Sequence, residues 1–245
     1  MFLKEFDDFM LYYDMELEKI HLKYYHTQRV AILCEKIAAS LYLTDEERYI
    51  AWVIGMLHDI GRFDQATMYD TFNDKESFDH AEYGVRLLFD EGMIENFKID
   101  KKWFNVINKA IKYHSEISVP ENLTEYEKMF CRIIRDADML DIMMIYKRLS
   151  WYNDEMTKQP ISPEVVNKIL NKKTVPHKIK KNIADSFIGT VAFINEIYYP
   201  ESKKILIESN ILNEILEIKM TANKSLKNWE KIKEYIKEYI EKGSK

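Results

Sequence analysis

Four histidines lie on different predicted helices or helix ends of a 245-residue chain that has six in all. They are His26, His58, His80 and His114, each with polar or small neighbours within an otherwise apolar stretch. Asp59 follows His58 directly. Acids and imidazoles on apolar helix faces are costly to bury unless they are paired or bind a cation. The pattern therefore favours a shared interior site, which is how helical bundles build metal centres.

Asp138 extends this set of side chains, because its carboxylate falls among Ile, Met and Leu residues in "IIRDADMLDIMM". A salt bridge to Arg132 or Arg135 is the alternative explanation. Neutral imidazole together with carboxylate suits Fe, Mn, Zn or Co, whereas Mg fits such a set less well. We therefore expect one or two divalent transition-metal ions.

The adjacent pair His58–Asp59 ends a predicted helix in "MLHDIGRF". Neighbours inside a regular helix point about 100° apart. We expect Ile60 and Gly61 to supply a turn that lets both side chains converge. His21 and His177 are expected to lie outside the site.

Apolar residues recur at intervals of three and four through most of the chain, which indicates helices. Thr44 with Glu47, and Thr124 with Glu127, predict capping boxes, and Gly92 is placed to end a helix. The segment 60–77 has no clear periodicity and is predicted to be a loop. The predicted helices are 20–43, 43–59, 78–92, 101–115, 125–149, 163–171, 179–199, 203–220 and 225–242.

Composition supports an all-α fold in a single domain over residues 1–245, since hydrophobic content is 47% with only 6 Gly and 5 Pro. The net charge of −5 predicts neither nucleic acid nor a membrane as partner. Cys34 and Cys131 are predicted to be buried thiols. We find no pattern typical of a signal peptide and no membrane-spanning run, so the expected location is cytoplasmic. The oligomeric state stays open.

The order of the ligand candidates resembles the H…HD…D signature of the HD-domain superfamily of metal-dependent phosphohydrolases. The local matches are "YHTQRV" at His26, "LHDIGRF" at His58 and "RDADMLDI" at Asp138. "DHAEYG" at His80 and "KYHSE" at His114 resemble the additional histidines of members that hold two metals. The resemblance covers an HD core at about residues 20–150, followed by a C-terminal helical elaboration at about 151–245.

Carried over by position, the resemblance implies that Asp59 bridges two metal ions. The implied ligands of the first metal are His26, His58, Asp59 and Asp138, and those of the second are Asp59, His80 and His114. Asp136 and Asp141 are candidates for outer support of the ligands.

The resemblance further implies hydrolysis of a nucleotide or another small phosphate ester by a metal-activated water. Arg62 replaces the lysine often found after HDIG and is expected to contact the anionic substrate. Asp64 is a candidate proton donor or acceptor. An ordinary surface salt bridge is the alternative for both residues. The GYP word of cyclic-di-GMP phosphodiesterases is missing after His114, which argues against that substrate.

Two other functions remain open at this stage. The same six ligands also resemble those of the mixed-valent di-iron oxygenases of this superfamily, which use O2. A regulatory module that senses a ligand without turnover is the second alternative.

Overall fold

The computed structural model describes residues 2–146 and 153–243, and within these ranges the regular elements are helices, without a strand. The all-α prediction is confirmed. The chain divides into two compact units, one ending at Ala137 and the other beginning at Asp138. The boundary falls inside the helix Glu125–Met144, and the predicted end of the HD core near residue 150 lies outside the described residues.

Helices of the first unit surround a core of Ile, Val, Leu and Phe side chains. The elements are α1 (Phe2–Met10), α2 (Glu18–Ser40), α3 (Asp45–Leu57), α4 (Gly61–Tyr69), α5 (His80–Val85), α6 (Phe104–Tyr113) and α7 (Glu125–Met144). Helix α2 packs along α3, α4 packs against α2, α6 packs against α3, and α5 contacts α4 and α6.

The structure confirms three features that the sequence predicts at helix ends, namely two capping boxes and the position of Gly92. The Thr44 hydroxyl accepts a hydrogen bond from the Glu47 amide, and the Glu47 carboxylate accepts one from the Thr44 amide. Thr124 and Glu127 make the same pair of bonds before α7. Gly92 adopts a left-handed backbone with φ of 79°, after a π-helical turn over Arg86–Asp90 that continues α5.

The prediction of a loop over 60–77 is wrong in its first half, because residues 61–69 form α4. Ile60, Phe63 and Ala66 are buried at intervals of three residues, so the helix has an apolar face. The helix ends at Asp70, whose φ of 50° is left-handed. Residues 70–79 then run as an irregular segment, which we call the 70–79 loop.

Gly61 does not make the expected turn. The chain turns over residues 58–60, so Ile60 is part of the turn, whereas Gly61 is already the first residue of α4. Gly61 is needed for a different reason. A Cβ at this position would lie 2.5 Å from the carbonyl oxygen of His80, and only glycine allows α4 and α5 to approach this closely.

The second unit has its own buried core, in which Trp229 donates a hydrogen bond of 2.9 Å to the Ile218 carbonyl. The predicted helix over 203–220 is interrupted at Asn210, whose φ is 63°. Trp229, Ile232 and Ile236 of the last helix are buried. The helices are α8 (Asp154–Lys158), α9 (Pro163–Leu170), α10 (Ile183–Val191), α11 (Pro200–Glu208), α12 (Ile211–Leu216) and α13 (Asn223–Gly243).

Cys34 and Cys131 are buried thiols, as predicted. A search of the described helices for one long and apolar enough to cross a membrane finds none.

Candidate metal centre

Asp59 lies between α3 and α4 with only 3% of its surface exposed, and each of its two carboxylate oxygens faces a pair of imidazoles. Oδ2 is 3.5 Å from His26 Nε2 and 3.4 Å from His58 Nε2. Oδ1 is 3.4 Å from His80 Nε2 and 3.6 Å from His114 Nε2. The structure thus brings together the five predicted ligands that precede α7, and Asp59 is central among them.

Each histidine reaches Asp59 from a different helix. His26 lies within α2, His58 follows the last residue of α3, His80 is the first residue of α5 and His114 follows the last residue of α6. All four are buried, with 5% exposure at most. Because four packed helices fix the rings, the site is part of the core of the first unit.

Hydrogen bonds on the far side of three rings fix how these rings are turned. His58 Nδ1 lies 2.8 Å from the Gly55 carbonyl, and His114 Nδ1 lies 2.7 Å from the Ile111 carbonyl. His80 Nδ1 lies 2.8 Å from a carboxylate oxygen of Asp74. Since these partners are acceptors, we assign the ring proton to Nδ1 in each case.

This assignment leaves a lone pair on each Nε2 that points toward Asp59. His80 Nε2 and His114 Nε2 are 3.1 Å apart, and Asp59 Oδ1 faces both. Three acceptor atoms that converge in a buried place repel one another unless a cation lies between them. The donor set of imidazoles and one carboxylate fits a divalent transition metal there.

The acid–base state of the site suits metal binding. Burial alone would raise the pKa of Asp59, but the positive charge of Lys23 and the neighbouring His58 outweigh it and hold the pKa well below its usual range. Burial lowers the pKa of His80 to about 4, against the opposing effect of its hydrogen bond to Asp74. At neutral pH the site therefore presents an ionised carboxylate and a neutral imidazole, which are the forms that bind metals.

Asp74, in the 70–79 loop, supports His80 and is itself held by Arg62 and Gln65. Arg62 Nη1 donates to Asp74 Oδ1 at 2.7 Å, to the Phe72 carbonyl at 2.7 Å and to Gln65 Oε1 at 2.5 Å. Burial opposes ionisation of Asp74, yet the hydrogen bond with His80 and the charge of Arg62 lower its pKa to about 2. The loop thus provides His80, a predicted ligand, with a charged partner.

Arg62 itself lies beside the site, with Nε 3.7 Å from Asp59 Oδ1. Its predicted contact with substrate stays a prediction. The other candidate in this segment, Asp64, accepts hydrogen bonds from the hydroxyls of Tyr13 at 2.8 Å and Tyr83 at 2.7 Å. The structure therefore gives Asp64 a link between the end of α1 and α5, and its proposed part in proton transfer also stays a prediction.

Lys23 is a residue of the site that the sequence analysis did not single out. Its ammonium group donates a hydrogen bond to Asp59 Oδ2, and its Nζ lies 5.3 Å from the centre of the Phe72 ring. Lys23 precedes His26 by three residues on α2, so the two side chains share a face of the helix. The spacing of Lys23 and His26 in the sequence could therefore have identified Lys23 as a residue of the site. No comparable spacing points to Asp74, because it lies in an irregular loop.

The remaining candidates are placed as follows. Asp138 is the first residue of the second unit, on α7, and is partly buried, while its neighbours Asp136 and Asp141 are fully buried. Their roles stay predictions. His21 and His177 are exposed, as expected for residues outside the site.

The comparison with protein families agrees with this geometry, since residues 24–143 match the model of the HD domain. These residues are an HD domain. The matched range begins just before His26 and ends on α7, and so it includes the ligand candidates. Searches of curated proteins and of solved structures return no significant match to the chain.

Proteins with an HD domain are mostly metal-dependent phosphohydrolases, so the family points to hydrolase chemistry in general terms. Among the groups of three ligand atoms in the described residues that could hold an ion, two contain Asp59, namely His26, His58 and Asp59, and Asp59, His80 and His114. The atoms of each group lie within 4.8 Å of one another. Asp59 belongs to both groups.

Proposed function

We propose that the HD domain of this chain is a metal-dependent hydrolase of a nucleotide or another small phosphate ester, with two metal ions in the site. The observation that carries the proposal is the position of Asp59, whose two oxygens each face the Nε2 atoms of two histidines. A carboxylate in this position can bridge two cations, which is a common arrangement in phosphoester hydrolysis.

A divalent metal in such a site lowers the pKa of a bound water and neutralises charge on phosphoryl oxygens. The protein residues supply the remaining requirements. Three of the four histidines, His58, His80 and His114, are turned toward Asp59 by their own hydrogen bonds, so little reorganisation of these rings is needed for metal binding. From the family resemblance, we propose Asp138 as a further ligand.

The charges around Asp59 favour an anionic substrate. Lys23 and Arg62 both lie against the Phe72 ring, with Lys23 Nζ 5.3 Å and Arg62 Cζ 5.8 Å from its centre. Their side chains are only 12% and 14% exposed, and charges act more strongly where water is partly excluded. Two cations beside a metal pair would stabilise the negative charge of a phosphoryl group.

The test begins with elemental analysis of protein purified without added metal or a metal-affinity tag. The protein is then loaded with Mn, Fe, Co or Zn, and release of inorganic phosphate is measured on mononucleotides and p-nitrophenyl phosphate. We expect close to two metal ions per chain, and phosphate release that depends on the metal and is lost in Asp59→Asn. Metal-loaded protein that releases no phosphate from these esters would contradict the proposed hydrolase.

The same experiment separates the alternative that shares these ligands. Two irons per chain, with O2 consumption in place of phosphate release, would assign the site to the mixed-valent di-iron oxygenases. Binding of a nucleotide without either reaction would instead indicate a sensing module.

A further inference from the structure

Lys23 differs from every other polar group around Asp59, because it places a positive charge on the oxygen that also faces His26 and His58. Its ammonium donates to Asp59 Oδ2, which lies 3.5 Å and 3.4 Å from the two Nε2 atoms. Asp59 is the carboxylate partner of Lys23 in the described part of the chain. Lys23 therefore lies at the first of the two ligand groups.

Arg62, the other cation of the site, is held differently. Its Nη1 already donates to three acceptors, those of Gln65, Phe72 and Asp74, at 2.5 to 2.7 Å. Releasing this guanidinium would leave three partly buried acceptors without this donor, which is costly. Arg62 is thus fixed as a support of the 70–79 loop, whereas Lys23 depends on one hydrogen bond.

We propose that Lys23 is the side chain that binds an oxygen of the substrate's phosphoryl group, and this inference rests on the proposed function. A cation held by His26, His58 and Asp59 Oδ2 would compete with the ammonium of Lys23 for the same oxygen. The metal ion and the ammonium would both be positively charged beside one oxygen, so they would repel each other. The four-carbon stem of lysine lets the ammonium move away. Once released from Asp59, the ammonium of Lys23 would pair with an anionic phosphoryl oxygen beside the metal.

Phe72 keeps this ammonium near the site. Its ring faces Lys23 Nζ at 5.3 Å, a distance at which cations are attracted to the face of an aromatic ring. The Phe72 carbonyl is in turn fixed by Arg62 at 2.7 Å. Loss of the bond to Asp59 would therefore leave Lys23 with a second contact, and the ammonium would stay close to the metal ligands.

The test uses the full chain loaded with Mn and measures binding of inorganic phosphate by calorimetry. The variants are Lys23→Gln, Lys23→Arg and the control Lys19→Gln, and elemental analysis is used to compare them at equal metal content. Lys19 is the matched control, because it lies one turn earlier on α2 and pairs with Asp70 at 2.5 Å. We expect phosphate affinity to fall about tenfold or more in Lys23→Gln, as for loss of a charged hydrogen bond. Lys23→Arg is expected to restore most of it, and Lys19→Gln to behave as wild type.

Equal phosphate affinity in wild type and Lys23→Gln would overturn the inference, as would a metal-loaded wild type that does not bind phosphate. The inference and the proposed function can fail separately. Phosphate binding that depends on Lys23, without hydrolysis of any ester, would leave the inference standing and reject the hydrolase. Hydrolysis of an ester, together with phosphate affinity that is unchanged in Lys23→Gln, would support the hydrolase and reject the inference.

Discussion

Gly61 at the start of α4 lies directly against the backbone carbonyl of His80 at the start of α5, so that a Cβ on Gly61 would be 2.5 Å from that oxygen. The contact joins the helix that follows Asp59 to the helix that begins with His80. The distance between these two site residues therefore depends on the absence of a side chain at position 61.

We expect Gly61→Ala to push α5 away from α4 and to destabilise the fold by about 1–3 kcal/mol, the usual cost of overpacking. Metal affinity at the Asp59–His80–His114 group should fall more than at the His26–His58–Asp59 group, because His80 moves. Gly84→Ala is the matched control, since its Cβ would meet the Cγ2 methyl of Ile60 at 3.2 Å and no backbone atom closer than 3.5 Å. Denaturant unfolding and metal titration measure both effects, and equal behaviour of the two variants would contradict this account of Gly61.

Asp59→Asn should reduce metal content at both ligand groups, because each group uses one oxygen of this carboxylate. We expect metal affinity to fall by more than the ~10–100-fold that is typical when a residue hydrogen-bonded to a metal ligand is replaced. Asp64→Asn is the control. Asp64 bonds two tyrosine hydroxyls in the same segment, so its replacement should leave metal content unchanged. Elemental analysis after dialysis gives the readout, and full metal content in Asp59→Asn would refute the bridging role.

Asp74→Asn should weaken metal binding by about 10–100-fold at the group that contains His80, because the ring loses its charged partner. Binding at the His26–His58–Asp59 group should be little affected. Asp79→Asn is a suitable comparison, since Asp79 caps α5 by accepting from the Ala81 and Glu82 amides and asparagine also caps well. Two-site metal titrations of both variants test this. The role given to Asp74 is rejected if both variants bind metal like wild type.

The pH dependence of stability should contain a contribution from Cys131. Burial raises the pKa of the Cys131 thiol to about 12, above the value of about 8.5 for an exposed cysteine. The contribution is therefore complete below about pH 8.5 and is lost as pH rises toward the folded value, by about 1.4 kcal/mol per pH unit. We expect the free energy of unfolding of wild type, relative to Cys131→Ala, to decline between pH 8 and 10. A difference that does not change with pH would show that the thiol is not buried in this way.

The predicted ligands were found from the sequence because buried polar groups on apolar helix faces leave a visible pattern. His26 and His58 break the apolar faces of α2 and α3, and the family resemblance added their order along the chain. The starts of α3 and α7 at Thr44 and Thr124 could also be predicted, because each capping box is a pattern between residues only three positions apart. The fold class and the proximity of these five side chains could therefore be predicted without coordinates.

The supporting residues were not predictable in the same way, because their roles depend on contacts between distant segments. Asp74 reaches His80 from an irregular loop, and Arg62 reaches Asp74 across 12 residues. Gly61 was read as a turn residue, since glycine after a polar pair is typical of a helix end. Its actual role, close packing against α5, becomes visible only when both helices are placed.

The aromatic contacts of α1 have a consequence for how the HD domain can be isolated. Phe63 is fully buried on α4, and its ring centre lies 5.4 to 6.3 Å from those of Phe6, Phe9 and Tyr13. These three residues precede residue 24, where the family match begins. The segment shared with the family is therefore shorter than the segment that folds around the site. We expect a chain cut at residue 24 to expose the Phe63 ring next to Arg62, so a fragment that keeps the site intact should include the first helix.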